Sequence, residues 1–599
     1  MVPNPLSMET QAGFSYFAEW WRNEQAVKED RERAKFGGRR PSDRLKGDTE
    51  ERKDREKERA KIQEAYDQYK QDFQIKAARQ FVHQHKDEEW FQERYLPPVR
   101  DQIRKRLLEF RHGALDQWKS DMDTGVFDEF TLEGIYKHDS DGAGGMVEKE
   151  EGEAIGGAET LGVQDLVPAK GGDLKDEAMN QPALLIKTLA PNVGRDRIEE
   201  FCKEHLGEAE GGFRWLSLSD PNPVKKCHRI GWIMLNAGVE ENGDAMEDAG
   251  RGEGREDGED DEKPKIENSG VAQRALEAIN GKTIVDPIRG DFTCHVGIHN
   301  APTHPRKKAL WDLFSAPERI ERDYQLARRL VTKLEGEMGM DESTGGLAKV
   351  DLRVENMRSQ GMLAPPPKAP KKNSFEDNDD EIKFDPEEGE DPEEDEDSEE
   401  LLVVKKKLDL LVEYLRRVFN FCLFCVFESD SVHELTRKCP GGHLRRPRAG
   451  LSKLAKRAAI ASANGDAFPR SKEGNDNDEP GSPEQDRKGG KFNKTEQQLL
   501  KAFNWVKTFE EKVLQLLEPE YCDLKKIGGM PVEEAIDGEL LKYVKREDES
   551  KFRCKVPECT KLFKAEHFWK KHVEKRHEEW YSQQKAEVRC HSYSCSLSY

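Results

Sequence analysis

From Ile62 onward the apolar residues Tyr66, Tyr69, Phe73, Ala77 and Phe81 recur at spacings of four and three, while Lys61, Lys70 and Lys76 fall off that stripe. The period is that of an amphipathic helix with one buried face. It runs into His85-Lys-Asp-Glu-Glu-Trp-Phe-Gln-Glu-Arg-Tyr95, where Pro97 and Pro98 turn the chain before a second helix from Val99 past Trp118, carrying Ile103, Leu107, Phe110 and Leu115. Pro317 suits a further helix start, with Ile320, Tyr324, Ala327, Val331 and Leu334 on one face, and Leu408, Leu411, Leu415 and Val418 form another such stripe. The expected result is one helical body built from residues 60–140, 301–340 and 401–450.

Between these helices, residues 181–300 read in the order strand, helix, strand, strand, helix, strand. The strands are Leu184–Leu189, Phe213–Leu218, His228–Leu235 and a last one near Phe292–Ile298; the helices are Arg195–His205 and Val271–Asn280. Such an order makes a four-stranded sheet backed by two helices, and it resembles the RNA-recognition motif, whose sheet stacks bases on aromatic side chains. Aligned on its glycine, His228-Arg-Ile-Gly-Trp-Ile-Met-Leu235 occupies the family's octamer. Trp232 keeps one stacking position, while Ile230 and Leu185 stand where two aromatics would be. A base stacked on an aromatic is worth on the order of 1–3 kcal/mol, so the domain reads as degenerate, kept for architecture or protein contact rather than for reading RNA on Trp232. The chain as a whole is thus expected to be mostly α, with one α+β domain.

Composition divides the rest. Of 599 residues, 36% are charged and 35% hydrophobic, and the formal charge is −22. That is too little apolar content to pack the whole length. Residues 239–267 carry a net −9 and residues 374–400 a net −16, so the remainder is close to neutral and the acidic balance does not exclude nucleic acid as a partner. Like-charge blocks without aromatics read as disordered. Residues 1–59, 141–180, 341–400 and 451–492 are expected to be disordered segments or linkers, and 581–599 a tail. No apolar run approaches the ~20 residues of a membrane span, and Met1-Val2-Pro3-Asn4 does not begin a charged-then-apolar leader. The 11 cysteines are scattered, which points to metal ligation or burial in a reducing compartment rather than to disulfides. His85 and Glu89 lack the second histidine of a hydrolase site, and no phosphate-cradling glycine loop or nucleophile with its base is visible, so no enzyme is expected.

The strongest chemical pattern lies in a C-terminal segment of helix and finger over 493–580 and reads Cys554-x4-Cys559-x3-Phe563-x5-Trp569-x2-His572-x4-His577. Two thiolates on a hairpin and two imidazoles on the next helix close a tetrahedron around Zn²⁺, with Phe563 and Trp569 as a miniature core and no position left for a catalytic water. A lone finger reads only about three base pairs, which argues against specific DNA recognition. Lys561, Lys564, Lys570, Lys571, Lys575 and Arg576 crowd the module and suit phosphates or short acidic peptides. A second candidate set is Cys422, Cys425, Cys439 and His443, with Pro440-Gly-Gly442 supplying a turn. Zinc ligands and plain buried cysteines are both open readings there.

As an ordered set, Ala65-Tyr-Asp-Gln-Tyr-Lys70 leading to His85-Lys-Asp-Glu-Glu-Trp-Phe91, then Ser315-Ala-Pro-Glu-Arg-Ile320, Leu408-Asp-Leu-Leu-Val-Glu-Tyr-Leu415, Lys507-Thr-Phe-Glu-Glu-Lys512 and the finger with Cys559-Thr-Lys-Leu-Phe563 resemble the SERRATE / arsenite-resistance protein family. The resemblance implies a non-enzymatic nuclear adaptor joining the cap-binding complex on new transcripts to effectors of maturation, decay or small-RNA production. It also implies that the finger region docks acidic motifs of those effectors. Family members continue past the finger into a tail that meets the cap-binding complex; the residues after Trp580, ending Ser592-Tyr-Ser-Cys-Ser-Leu-Ser-Tyr599, do not match it, which sets the cap-complex expectation apart from the rest. The competing reading is a direct RNA-binding protein using Trp232 and the basic finger surface.

Overall fold

The computed structural model describes residues 3–35, 48–136, 166–237 apart from 170, 173 and 175, 269–302, 307–365 apart from 342, 398–446, 453–469, 494–519, 532–548 and 551–596. The acidic segments 239–267 and 374–397 lie outside the described residues. In chain order, α1 (Phe14–Lys35), α2 (Asp48–His85), α3 (Glu89–Tyr95) and α4 (Pro97–Thr124) come first. A short hairpin, β1 (Gly134–Tyr136) with β2 (Leu166–Pro168), precedes β3 (Ala183–Leu189), α5 (Arg195–Leu206), β4 (Phe213–Leu218), β5 (Arg229–Leu235) and α6 (Ser269–Ile279). Next come β6 (Thr283–Ile284), β7 (Phe292–Thr293), β8 (Gly297–Ile298) and β9 (Lys308–Ala309), then α7 (Pro317–Glu337), α8 (Gly346–Ser359) and α9 (Glu399–Phe419). After these stand β10 (Phe421–Cys422), β11 (Phe427–Glu428), α10 (Val432–Lys438), β12 (His443–Leu444), α11 (Lys453–Asn464) and α12 (Lys494–Leu517). The remainder is α13 (Val532–Leu540), β13 (Val544–Asp548), β14 (Lys551–Cys554), β15 (Leu562–Phe563), α14 (Glu566–Arg576) and α15 (Glu578–Ser596). Among the described residues no helix is long and apolar enough to cross a membrane.

The chain divides into two compact units. The first joins residues 1–101 to residues 522–599. Here the stripe on α2 finds its cover in α1: Phe17 stacks on Tyr69 at 5.0 Å, Ile62 and Tyr69 are buried against Ala12, Phe17 and Ala18, and the Tyr69 hydroxyl accepts from the Ala12 amide at 2.8 Å. The described residues before residue 60, where disorder is expected, are therefore largely helical, because the aromatics of α1 have a partner face on α2. The expected tail likewise carries α15, which packs on α13, α14 and α2. His85 lies against Phe81 and Trp90 in an aromatic group, with its Nδ1 3.1 Å from Glu88.

The second unit spans residues 102–521. Its helical body buries Leu115, Trp118 and Met122 of α4 against α7, α8, α9, α11 and α12. Polar groups inside it are matched: Arg319 pairs with Asp323 and, at 2.8 Å, with Glu510, the Tyr414 hydroxyl donates to Glu335 at 2.8 Å, and the Lys406 ammonium donates to the carbonyls of Phe127, Asp128 and Phe130. Gly346 lets α8 start against the ring of Tyr414, whose Cζ would lie 2.3 Å from any Cβ there. Two expectations of disorder are corrected. Residues 346–359 form α8, and residues 453–464 form α11, whose small buried face of Ala455, Ala458 and Ala459 allows close approach to α7 and α12.

The α+β domain forms a sheet in the order β4-β5-β3-β8, every neighbouring pair antiparallel, with α5 and α6 on one face over Leu184, Ile186, Leu216, Ile233 and Leu235. The last strand differs from expectation. Asp286 accepts from the amides of Ile288 and Arg289 and turns the chain, so Phe292–Thr293 pairs with β6 and only Gly297–Ile298 enters the sheet.

Candidate metal centres and the basic finger surface

In the finger, β13, β14 and β15 form a three-stranded antiparallel sheet. Cys554 ends β14, and the next turn brings round Cys559, whose amide donates to the Val556 carbonyl at 2.9 Å. Glu558 takes a left-handed φ of 66° to close that turn. His572 projects from α14 and His577 caps its end. One ligand atom from each of Cys554, Cys559, His572 and His577 lies within 4.8 Å of the other three, with Cys559 Sγ 3.4 Å from His572 Nε2. His577 Nε2 is buried and without a hydrogen-bond partner among the described residues, an orphan that a metal ion would satisfy. Burial, then the neighbouring His577, lowers His572 from the ordinary imidazole value, the direction that ligation by a neutral ring requires. Trp569 and Val573 are fully buried beside Cys554 and Val556, and Phe563 lies 4.7 Å from the His572 ring.

Lys561, Lys564, Lys571, Lys575 and Arg576 are exposed and make no ion pair among the described residues. Lys570 is a correction: it pairs with Asp537 at 2.9 Å and Glu566 at 3.7 Å, so its charge serves the module's own packing. Two exposed apolar side chains of the same module, Leu562 and Phe568, carry no distinguishing mark in the sequence pattern; each is about half exposed, at 50% and 52%.

The second set is also brought together. A hairpin of β10 and β11 carries Cys422 and Cys425, helped by left-handed Asn420 and Val426; α10 ends at Cys439; and Gly441 and Gly442, both at positive φ, turn the chain so that His443 enters β12 beside β9. Cys422 and Cys439 lie 3.6 Å apart, and His443 Nε2 is 3.1 Å from Cys425 Sγ and 3.4 Å from Cys439 Sγ. Tetrahedral ligation at Zn–S ~2.3 Å and Zn–N ~2.05 Å has edges of roughly 3.6–3.8 Å, close to these separations. Hydrogen bonds from Cys422 and Cys425 hold the Cys439 thiol far below its usual range. Burial opposes charge on His443, yet hydrogen bonds to Cys425 and Cys439 push it up to about 9.

Trp232 is placed where it cannot stack a base. It is 2% exposed, on the sheet face opposite α5 and α6. That face is roofed by the chain itself: Leu107 and Phe110 of α4 pack on Trp215 and Met234, with Phe110 stacked on Trp215 at 5.1 Å, while His299 meets Trp232 and His433 of α10 edge to face. The expectation that Trp232 contacts RNA or a partner is corrected accordingly. The physical reason is visible in the sequence only in part, since Trp215, Trp232 and Met234 make this second face as apolar as the first.

Comparison with known proteins agrees with this outline. The model of the SERRATE/Ars2 N-terminal domain matches residues 46–155, and a domain of unknown function (DUF4187) matches residues 394–445, which spans α9 and all four residues of the second cluster. The NURS complex subunit pir2 of Schizosaccharomyces pombe (strain 972 / ATCC 24843) is 23% identical over 526 residues, covering 86% of this chain and 65% of the relative's own length. A solved structure of Arabidopsis Serrate, described as giving molecular insights into miRNA processing, aligns over 89% of this chain and 90% of that one at 14% identity with a TM-score of 0.21, too low to bear on the fold. With a domain model matched across α2 to α4 and a relative aligned through both compact units, the chain is similar to the SERRATE/Ars2 family.

Proposed function

We propose that the protein is a non-catalytic adaptor in nuclear RNA processing, whose finger, braced by Zn²⁺ on Cys554, Cys559, His572 and His577, docks short acidic segments of its partners. The observation that carries this reading is the row of exposed cations without an ion pair among the described residues, Lys561, Lys564, Lys571, Lys575 and Arg576, on a module whose four metal-ligand positions are all filled by side chains. Cations held on a rigid, metal-braced surface favour acidic partners. The partners in this reading are effectors of RNA maturation, decay or small-RNA production, on one side, and the nuclear cap-binding complex on capped RNA polymerase II transcripts, on the other. The RNA-recognition-like domain serves architecture here, because its second face is occupied by α4 and α10.

An acidic peptide carrying a fluorophore, titrated against the full chain, tests the docking surface. Lys561→Glu, Lys564→Glu and Lys571→Glu together are expected to weaken binding by more than tenfold while zinc content stays the same. Undiminished binding by the triple variant would remove the finger from the docking role. A parallel titration with single-stranded RNA separates the competing reading: binding as tight as the peptide's, steeply dependent on salt and lost in the same variant, would make the surface an RNA site.

A further inference from the structure

We propose that Cys422, Cys425, Cys439 and His443 form a second, structural Zn²⁺ site, and that this ion pins the segment roofing the sheet face of the α+β domain. The proposal stands apart from the docking role of the finger.

The second and third ligands bracket that segment. Between Cys425 and Cys439 the chain runs through β11 and α10, and the side chains of Glu428, Asp430, Ser431, His433 and Lys438 on this stretch reach away from the metal set towards the domain or towards α4. Glu428 receives Arg111 and, at 3.1 Å, Arg104, and Arg111 also donates to the Ser429 carbonyl at 2.9 Å. Asp430 accepts from Arg195 at 2.7 Å; Ser431 donates to Ser217 at 2.8 Å on the sheet face itself; and Lys438 pairs with Asp220 at 3.0 Å. His433 closes the row against His299, which lies against Trp232.

The loop is short, and its two ends meet on one candidate ion. Closing such a loop by a metal removes most of the conformational freedom that would otherwise let it lift away. Without the ion, the segment is held to the domain by the Asp430–Arg195 and Lys438–Asp220 pairs and the buried Ser431–Ser217 hydroxyl bond, with no metal bond tying its two ends together. With it, the segment is anchored to α9 through β10 and to β9 through β12, so lifting it means breaking metal–thiolate bonds. The ligand chemistry selects the metal: three thiolates and one imidazole in a closed tetrahedral set suit Zn²⁺ and leave no open position for substrate. Occupancy of this site therefore governs how firmly the α10 segment stays over Ser217 and the His299–Trp232 pair, while α4 covers Trp215 and Met234.

The experiment uses the full chain. Elemental analysis is expected to give two zinc equivalents per chain, falling to one in Cys425→Ser and in His443→Asn. Hydrogen exchange in those variants is expected to rise at least tenfold over Arg229–Leu235 while α14 keeps its protection. Because a variant with a lost ligand can fail to fold, the unaltered chain is also reconstituted with Co²⁺. Cys422, Cys425 and Cys439 add three thiolates to the finger's two, so thiolate-to-cobalt absorption about two and a half times that of a finger alone is expected. A single equivalent that Cys425→Ser leaves in place, or cobalt absorption of a two-thiolate site only, overturns the metal site. Loss of the second equivalent with exchange over Arg229–Leu235 unchanged overturns the roof.

Discussion

The two cysteine–histidine sets differ in what surrounds them. Those of the finger sit on a module with a core of a few residues, three of its four ligands half-buried. Those near α9 are sunk among the helices, three of the four buried and the hairpin continuous with a large core. The first set makes its own fold; the second fastens segments of a fold that other contacts already define. A small module cannot hold its shape by burial alone, so its surface is free to be cationic, whereas the inner set has neighbours on every side and presents nothing.

Four outcomes put this contrast at risk. The largest concerns metal removal. Structural zinc in a finger carries apparent binding energy of about 10–16 kcal/mol, so chelation at neutral pH is expected to abolish exchange protection in β14 and α14. Metal at the inner set is expected to leave at least tenfold more slowly, as measured with a colorimetric zinc indicator; equal release rates would erase the distinction. Next is Trp232→Ala, which empties a fully packed site and is expected to cost ~3–5 kcal/mol. It should lower the thermal midpoint of the second unit and leave RNA affinity unchanged, and a large loss of RNA binding without destabilisation would return Trp232 to the surface role.

Acidification comes third. Burial, reinforced by His299, lowers His433 to about 3, so the folded state keeps a neutral ring while the unfolded state takes up a proton below its ordinary pKa. Stability is therefore fully present above ~6.5 and falls as pH drops from there towards 3, by ~1.4 kcal/mol per unit for this one group. Unfolding free energies from urea titration at pH 6.5 and 5 should differ by ~2 kcal/mol from this cause, and His433→Leu should flatten that slope. Smallest is Lys561→Glu alone. An exposed finger cation is expected to change stability by no more than ~0.5 kcal/mol while reducing acidic-peptide affinity, and a markedly unfolded finger would show that the lysine packs rather than presents.

Legibility in the sequence tracks the range of the interactions. The finger is written locally, in ligands and core residues a few positions apart, and its geometry obeys the spacing. The first three strands of the sheet are legible for the same reason: alternating residues such as Leu184, Ile186 and Ile233 mark them to within a residue or two, whereas the last strand, cut short by the Asp286 turn, is not. What covers the other face is not local. Phe110 meets Trp215 across about a hundred positions of sequence, and His433 meets His299 across more. Short-range patterns carry no information on such pairs. In α1 the steps of three and four from Phe14 to Phe17 to Trp21 are masked by flanking charge that suggests disorder. α11 is hidden because its buried face is alanine, which scores as weakly apolar. At Cys422 the spacing is plain, and the ambiguity lies in the apolar run around it.

The pairing of α2 with α15 sets a timetable for biosynthesis. A ribosome making ~5–20 residues per second completes α1 to α3 roughly 20–80 s before Cys522 and the residues beyond it emerge. Over that interval the early helices have each other but not α15. Translation that stalls between these stretches would release an incomplete first unit, a natural substrate for chaperones and proteases.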